Sequence, residues 1–389
     1  MRPFMDKDMA IKKRSKRLKI LLRDRNIRCA LRGLTIATHL ALIKGSNFMN
    51  KAMAQKLRDE GFLAFEKKEY SKAFECSRKC AEQGYLWAQC LLGALYAEGL
   101  GVEQDYQKAA EWYRRAAEQG LAVAQNIMGL MYERGEGVEQ NDAEAAAWYR
   151  KAAEQGYPEA QFQLGVMYCY GRGVKQDDAI AAVWFHKAAE QDIADAQFNL
   201  GLMYEEGCGV EQDDAKAIEF YRKAAEQGIV DAQFNLGLMY EDEKGVGQDY
   251  QNAAKWFREA AKQDNAKAQL NLGVMYYRGQ GVEQSDVEAA KCFRKAAKQG
   301  LAEAQFNLAI LYKEGKGIKQ SDAKAIKWYR RAAKQGFADA QFHLGLMYEE
   351  GSGVAQNDSK AEEWFRKAAE QGDFDFQSRL DAMDSDKKD

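Results

Sequence analysis

Few residues in this chain have the types and spacings that do chemistry. The nearest to a catalytic motif is Ser321-Asp322-Ala323-Lys324, a Ser-x-x-Lys arrangement in which a lysine amine could activate a serine nucleophile. No Ser-Asp-Asn or Lys-Thr-Gly accompanies it, and the positions 108 residues before and 36 after hold Asp213 and Asn357, which cannot take the serine's part. Paired glycines such as Gly135 and Gly137 invite comparison with phosphate-cradling loops, but no strand pattern precedes them and no P-loop lysine follows. Three histidines, His39, His186 and His343, are too few and too scattered for a metal site. Seven cysteines (Cys29, Cys76, Cys80, Cys90, Cys169, Cys208 and Cys292) include no CxxC and do not recur from repeat to repeat, so they read as buried free thiols rather than a disulfide framework. The expectation is a non-catalytic protein without metal or cofactor.

The elements that must position any site are set by a period. Gln161-Phe162-Gln163-Leu164-Gly165-Val166-Met167-Tyr168 returns 36 residues later as Gln197 to Tyr204, and again as Gln233 to Tyr240. Its glycine recurs as Gly93, Gly129, Gly165, Gly201, Gly237, Gly273 and Gly345, with Ala309 the one replacement. A fixed period of this length marks a stacked array, and two prolines in 389 residues favour helices. Each unit reads as two helices. The first, Ala194 to Glu206 in one repeat, is apolar on several sides, and its Gly201 costs ~1 kcal/mol of helix propensity relative to alanine. That cost implies the close approach of another helix backbone.

A Gly-x-Gly-Val turn follows, and the second helix then starts at Asp105, Asn141, Asp177, Asp213, Asp249, Ser285, Ser321 or Asn357. All eight belong to the residues whose side-chain oxygen caps a first turn. Asn141 with Glu144, and Ser285 with Glu288, fit a capping-box variant. The helix carries an aromatic pair such as Trp148-Tyr149, then Ala152-Ala153, and ends at Gln-Gly, with Asp192 and Asp264 replacing that glycine twice. Glu243 stands where a turn glycine belongs, so an altered turn is expected there.

These motifs (Ala-x-Ala-Gln-x-x-Leu-Gly-x-x-Tyr, Gly-x-Gly-Val, Ala-x-x-Trp-Tyr-x-x-Ala-Ala-x-Gln-Gly) resemble the Sel-one-like repeats, relatives of the tetratricopeptide repeats. The resemblance implies an all-α, right-handed α/α superhelical solenoid of helix-turn-helix repeats that binds a protein or peptide on its concave face. Some cysteine-rich members of that family are described as β-lactam hydrolases, but their recurrent cysteine pairs are absent here. In related superhelices the first helix of each repeat lines the concave face, and first-helix asparagines hold the backbone of an extended peptide. Carried onto this chain, the resemblance marks an amide ladder, Gln163, Asn199, Asn235, Asn271 and Asn307, ending at His343. An amide offers both donors and an acceptor, which suits a grip indifferent to sequence. The Phe162, Phe198, Phe234, Phe306 and Phe342 series reads as inter-repeat core. Specificity is expected where repeats differ, as at Glu205-Glu206 and its echoes, whose mostly acidic character predicts a partner with basic residues.

The domain organisation follows as a basic, poorly ordered or amphipathic head over 1–48, and a tetratricopeptide-like unit over 49–84. Eight Sel-one-like repeats then occupy 85–372, and a cap helix with a disordered tail 373–389. Up to Gly45 the head holds 13 Lys or Arg against 3 Asp, about +10 beside about −12 for the rest. A nucleic-acid binder would carry the basic patch on the folded part, so none is expected as partner. No apolar run reaches the ~18 residues of a membrane span. The basic run Lys12 to Lys19 before Leu34–Ile43 has a signal peptide's order but too long a lead and too polar a core. A cytoplasmic monomer is expected, with export as the alternative if the head is a signal, and translation from Met49 or Met53 is a further alternative.

Overall fold

The computed structural model describes residues 51–242 and 247–371, with side chains from residue 55 on. The described residues form eighteen helices and no strand, in two compact units. The first unit, within residues 51–196 and 208–210, contains α1 (Lys51–Glu66), α2 (Tyr70–Ala81), α3 (Leu86–Glu98), α4 (Tyr106–Glu118), α5 (Ala122–Arg134), α6 (Asp142–Glu154), α7 (Pro158–Tyr170) and α8 (Asp178–Ala189). The second, within 197–207 and 211–371, contains most of α9 (Ala194–Glu206), then α10 (Asp214–Glu226), α11 (Val230–Glu241), α12 (Tyr250–Lys262), α13 (Ala266–Arg278), α14 (Asp286–Lys298), α15 (Ala302–Glu314), α16 (Asp322–Ala333), α17 (Ala338–Glu350) and α18 (Asp358–Ala369). Odd-numbered helices are the first of each hairpin and even-numbered ones the second. Within each unit every even helix also packs on the odd helix that follows, giving an all-α repeat stack.

The helix starts follow the sequence closely. Each of the eight cap residues accepts a first-turn N–H on its side-chain oxygen: Asp105 from Lys108 at 3.0 Å, Asn141 from Ala143 and Glu144 at 3.0 and 3.1 Å, Asn357 from Lys360 at 2.9 Å. The capping box itself is not completed. The N–H that the glutamate would have taken is already given to the preceding helix's tyrosine carbonyl, Asn141 to Tyr132 and Ser285 to Tyr276, both at 2.9 Å. One residue thus starts the second helix and ties it to the end of the first.

Gly201 answers a close approach, though not of the kind the sequence suggests. A Cβ built there would lie 2.5 Å from the Tyr221 ring of its own hairpin, not against a helix backbone. The same contact recurs in six other hairpins, as between Gly237 and Phe257, while Ala309 stands in for the glycine of α15 and Gly61 of α1 meets Cys76. The second turn glycine has a different duty. Gly137 has φ +70°, and a Cβ on it would overlap the Tyr106 carbonyl of the preceding hairpin's second helix. At the other end of the even helices Asp192 and Asp264 adopt φ of +61° and +60°, standing in the left-handed position otherwise held by glycine. α11 stops at Glu241, one residue short of its counterparts, and the expected altered turn at Glu243 lies outside the described residues, as do Gly372, the head and the tail.

The aromatic pair of the second helix divides its work. The second member is the one fully enclosed: Tyr149, Phe185, Tyr221, Phe257, Tyr329 and Phe365 are almost without exposure. The first is less deeply enclosed, half-buried at Trp364 and nearly covered at Trp148, and lies beneath a basic side chain, with Lys151 Nζ 3.8 Å from the Trp148 ring centre and Lys367 Nζ 4.4 Å from that of Trp364. Each stack also contains a relay of buried amides. Gln233 Nε2 donates to the Ala225 carbonyl at 3.1 Å, satisfying an end of α10, and its Oε1 accepts from Gln263 at 3.0 Å. Gln125 does the same with Ala117 and Gln155, and Gln341 with Ala333 and Gln371. A buried amide must be bonded to be tolerated, so this relay fixes each hairpin's register on the one before it.

Substituting Gly201→Ala adds a methyl where the Tyr221 ring lies. Overpacking should outweigh the gain in helix propensity and destabilise by about 1–3 kcal/mol. Urea unfolding followed by circular dichroism checks this; an unchanged or raised midpoint would contradict the packing described.

Candidate partner-binding surface

The residues of the expected ladder fall on the odd helices. Gln163 is on α7 of the first unit; Asn199, Asn235, Asn271, Asn307 and His343 are on α9, α11, α13, α15 and α17 of the second. The five in the second unit are half-buried, whereas Gln163 is buried, with an Oε1 that finds no hydrogen-bond donor within the described protein. The equivalent positions in α3 and α5 are Leu91 and Ile127, both buried. The amide ladder is thus a feature of the second unit's surface.

Neighbouring odd helices meet directly. The Phe306 ring of α15 lies 5.2 Å from His343 of α17, and Lys313 Nζ is 3.9 Å from a Glu350 carboxylate oxygen. Lys316, just past α15, donates to the Tyr277 hydroxyl of α13 at 3.1 Å. A helix exposes one stripe at i, i+4, i+7 and i+11. On α9 that stripe is Asp195, Asn199, Leu202 and Glu206; on α11 it is Asp231, Asn235, Leu238 and Asp242. Leu202, Leu238, Val274, Ile310 and Leu346 are all partly exposed, so an aliphatic row runs beside the amides. The Phe198 and Phe234 rings are buried against Tyr221 and Phe257, with centroids 5.9 and 5.8 Å apart, and so form core rather than a ligand pocket.

Two ladder positions are engaged by aromatic neighbours. The Tyr221 hydroxyl donates to Glu205 at 2.6 Å and also hydrogen-bonds the Asn235 side chain. Burial, and then the Glu205 carboxylate, hold that phenol well above its ordinary pKa. Glu205 is half-buried and anchored in this way, while Glu206 is exposed. His343 stacks on Tyr329 with centroids 5.4 Å apart, and its Nδ1 lies 2.9 Å from the Asp339 carbonyl of its own helix. Burial lowers the imidazole's pKa, opposed by the Asp339 carbonyl and reinforced by Lys313. A neutral imidazole packed on a ring is a different rung from an asparagine.

Ser321, the serine of the Ser-x-x-Lys motif, accepts the Lys324 backbone N–H at 3.4 Å, and the Lys324 amine sits 5.3 Å from the Tyr312 ring centre. The pair is built as a helix cap with a side chain laid over an aromatic. Among the described residues no cluster of His, Cys, Asp and Glu could hold a metal, and no helix is long and apolar enough to cross a membrane. Sequence reasoning did not anticipate the signs of the exposed charges rung by rung; aligning the i and i+11 positions of each first helix would have shown them.

Comparison with known proteins agrees with this geometry. Nine stretches match the Sel1 repeat model: residues 58–85, 88–121, 122–157, 158–193, 194–229, 230–265, 266–301, 302–337 and 338–373. The first falls in the segment read from sequence as tetratricopeptide-like. A crystal structure of a protective antigen of uropathogenic Escherichia coli, described as displaying an SLR fold, is 42% identical with a TM-score of 0.76, over 80% of this chain and 67% of that one. A Sel1 repeat protein from Oxalobacter formigenes is 34% identical with a TM-score of 0.60, over 79% and 89% of the respective chains. No curated protein matches the sequence.

The lowered His343 pKa gives a pH signature. As pH falls below the ordinary histidine value of 6.5, the unfolded chain binds this proton before the folded one does, so the native state loses stability until the folded pKa is passed. His343→Asn, which restores the residue of the other rungs, should reduce the stability lost between pH 7 and pH 5. Urea midpoints at the two pH values check this, and an equal loss in both proteins would contradict a half-buried neutral imidazole.

Proposed function

The chain belongs to the Sel1 repeat family, and from that premise we propose that it is a protein-interaction scaffold whose second unit grips an extended peptide along the odd helices. Repeats of this kind mediate protein–protein contact, and the observation that carries the finer reading is the half-buried amide row, Asn199, Asn235, Asn271 and Asn307, beside partly exposed aliphatics. An asparagine amide carries two N–H donors and a carbonyl acceptor, so one that already makes a contact within the fold, as Asn235 does with Tyr221, still has groups to bond the main chain of a strand whose side chains the row does not select. The aliphatic row takes apolar side chains. Exposed carboxylates at Glu206, Asp242, Glu303, Glu314, Asp339 and Glu350 surround these rows and favour a ligand with basic residues. No catalytic step is assigned to any residue.

A second reading, export or envelope association, is favoured by one comparison: the relative from uropathogenic Escherichia coli is described as a protective antigen. Protection requires that the host meet the protein. Cell fractionation with N-terminal sequencing of the mature chain separates this from a cytoplasmic location. A processed chain outside the cytoplasm supports export, and an intact cytoplasmic one removes it.

Replacing Asn199, Asn235 and Asn271 together by alanine should weaken binding of a fluorescent lysine-bearing peptide by about tenfold or more, from the loss of several hydrogen bonds of ~1 kcal/mol each. Anisotropy titrations of the full chain measure it, with circular dichroism to show an unchanged helical signal. Binding should also weaken as salt rises. Unchanged affinity in the triple variant, or binding indifferent to salt, would remove the assignment.

A further inference from the structure

The charges at the stripe ends of the second unit's odd helices, all exposed except the half-buried Asp231, carry a sign pattern. From α11 to α17 each stripe begins and ends with a charged residue, and on every one of these helices the two agree in sign. They are Asp231 and Asp242 on α11, Lys267 and Arg278 on α13, Glu303 and Glu314 on α15, and Asp339 and Glu350 on α17, with Glu206 at the end of α9 in the same unit. The rungs therefore run negative, negative, positive, negative, negative.

Helix stability does not explain this. A helix favours acids at its N-terminal end and bases at its C-terminal end. Glu206, Glu314 and Glu350 are the last residues of their helices and Asp242 is the cap of α11, all at the end that disfavours a negative charge. Lys267 sits in the first turn of α13, the end that disfavours a positive one. That helix is instead started by Asn265, whose side chain accepts the Ala268 N–H at 2.9 Å. Internal pairing does not explain it fully either. Glu314 meets Lys316 at 2.9 Å and Glu350 meets Lys313 at 3.9 Å, and Arg278 is close enough to Glu241 to lower its carboxyl pKa against the burial that raises it. Lys267 and Arg278 are nonetheless exposed and form no salt bridge among the described residues.

We propose that this surface reads the charge register of its ligand, selecting an extended segment that carries one acidic residue flanked on both sides by basic ones. The inference rests on the peptide-gripping reading above and adds the pattern of the ligand. Packed helices lie about 10 Å apart, and an extended chain advances about 3.3 Å per residue, so neighbouring rungs meet ligand residues about three apart. Basic residues at two such steps before the centre and two after it face the acidic rungs, and the acidic residue faces Lys267 and Arg278. Because both ends of each rung from α11 to α17 have the same sign, the match there holds whichever way a side chain leans.

Two synthetic peptides of one composition test this against the full chain: KVSKVSEVSKVSK, with its glutamate at the centre, and EVSKVSKVSKVSK, with it at the end. Fluorescence anisotropy should show the first binding at least about threefold more tightly, the scale expected of a few exposed charge pairs. In the double variant Lys267→Glu with Arg278→Glu the preference should reverse, favouring the peptide with an unbroken basic run at its centre. Equal affinity for the two peptides, with salt-sensitive binding of both, would overturn the register while leaving the peptide-binding reading intact. Binding of neither would overturn both, and a preference for the first peptide that survives the double variant would overturn the assignment to α13.

Discussion

Seven of the described hairpins close on one contact, an aromatic ring of the second helix laid against a glycine of the first; Ala309 takes that place in α15, and Gly61 of α1 meets Cys76 instead of a ring. Between Gly201 and Tyr221, or Gly237 and Phe257, the space a methyl group would need is already filled. Other features follow from that approach. The ring can be enclosed because the alanines one turn on, such as Ala224 and Ala225, leave room for the next hairpin. The first helix ends at a left-handed glycine, and the second turn glycine rests on the backbone of the hairpin before it. The glutamine relay then holds successive hairpins at one register. A stack fixed so closely leaves the outer stripe of each first helix as the surface least constrained by folding.

Much of this was legible in the residues. The eight caps were readable because a capping oxygen acts on its own next turn, so the cause and the effect lie three residues apart. Helix limits followed from the caps and the glycines. The partner of Gly201 was not legible, since a propensity cost announces that something approaches without saying what. The relay was hidden for a related reason: Gln233 and Gln263 are 30 residues apart, and their bond depends on how two helices are set side by side. The division of labour between Trp148 and Tyr149 likewise depends on which way the helix faces, which adjacent apolar residues cannot reveal.

The surface shows the same split. Its amide row was visible as a period, but the environments along it were not. Asn235 touches a phenol that Glu205 also holds, His343 stacks on a ring, and Gln163 lies buried in the first unit. Residues that repeat without variation account for the stack. Among the residues that vary, Glu206, Asp242, Glu314 and Glu350 at C-terminal ends and Lys267 at an N-terminal end run against what helix stability asks for, and they bear on what the surface can recognise.

Methyl spectroscopy of the full chain during titration with a basic, extended peptide tests the central claim most directly. The account predicts shifts concentrated at the partly exposed methyls of Leu202, Leu238, Val274, Ile310 and Leu346, with the exposed methyls of Val183 and Val287 on the second helices unmoved. Shifts centred on Val183 and Val287, with the first-helix row silent, would contradict it.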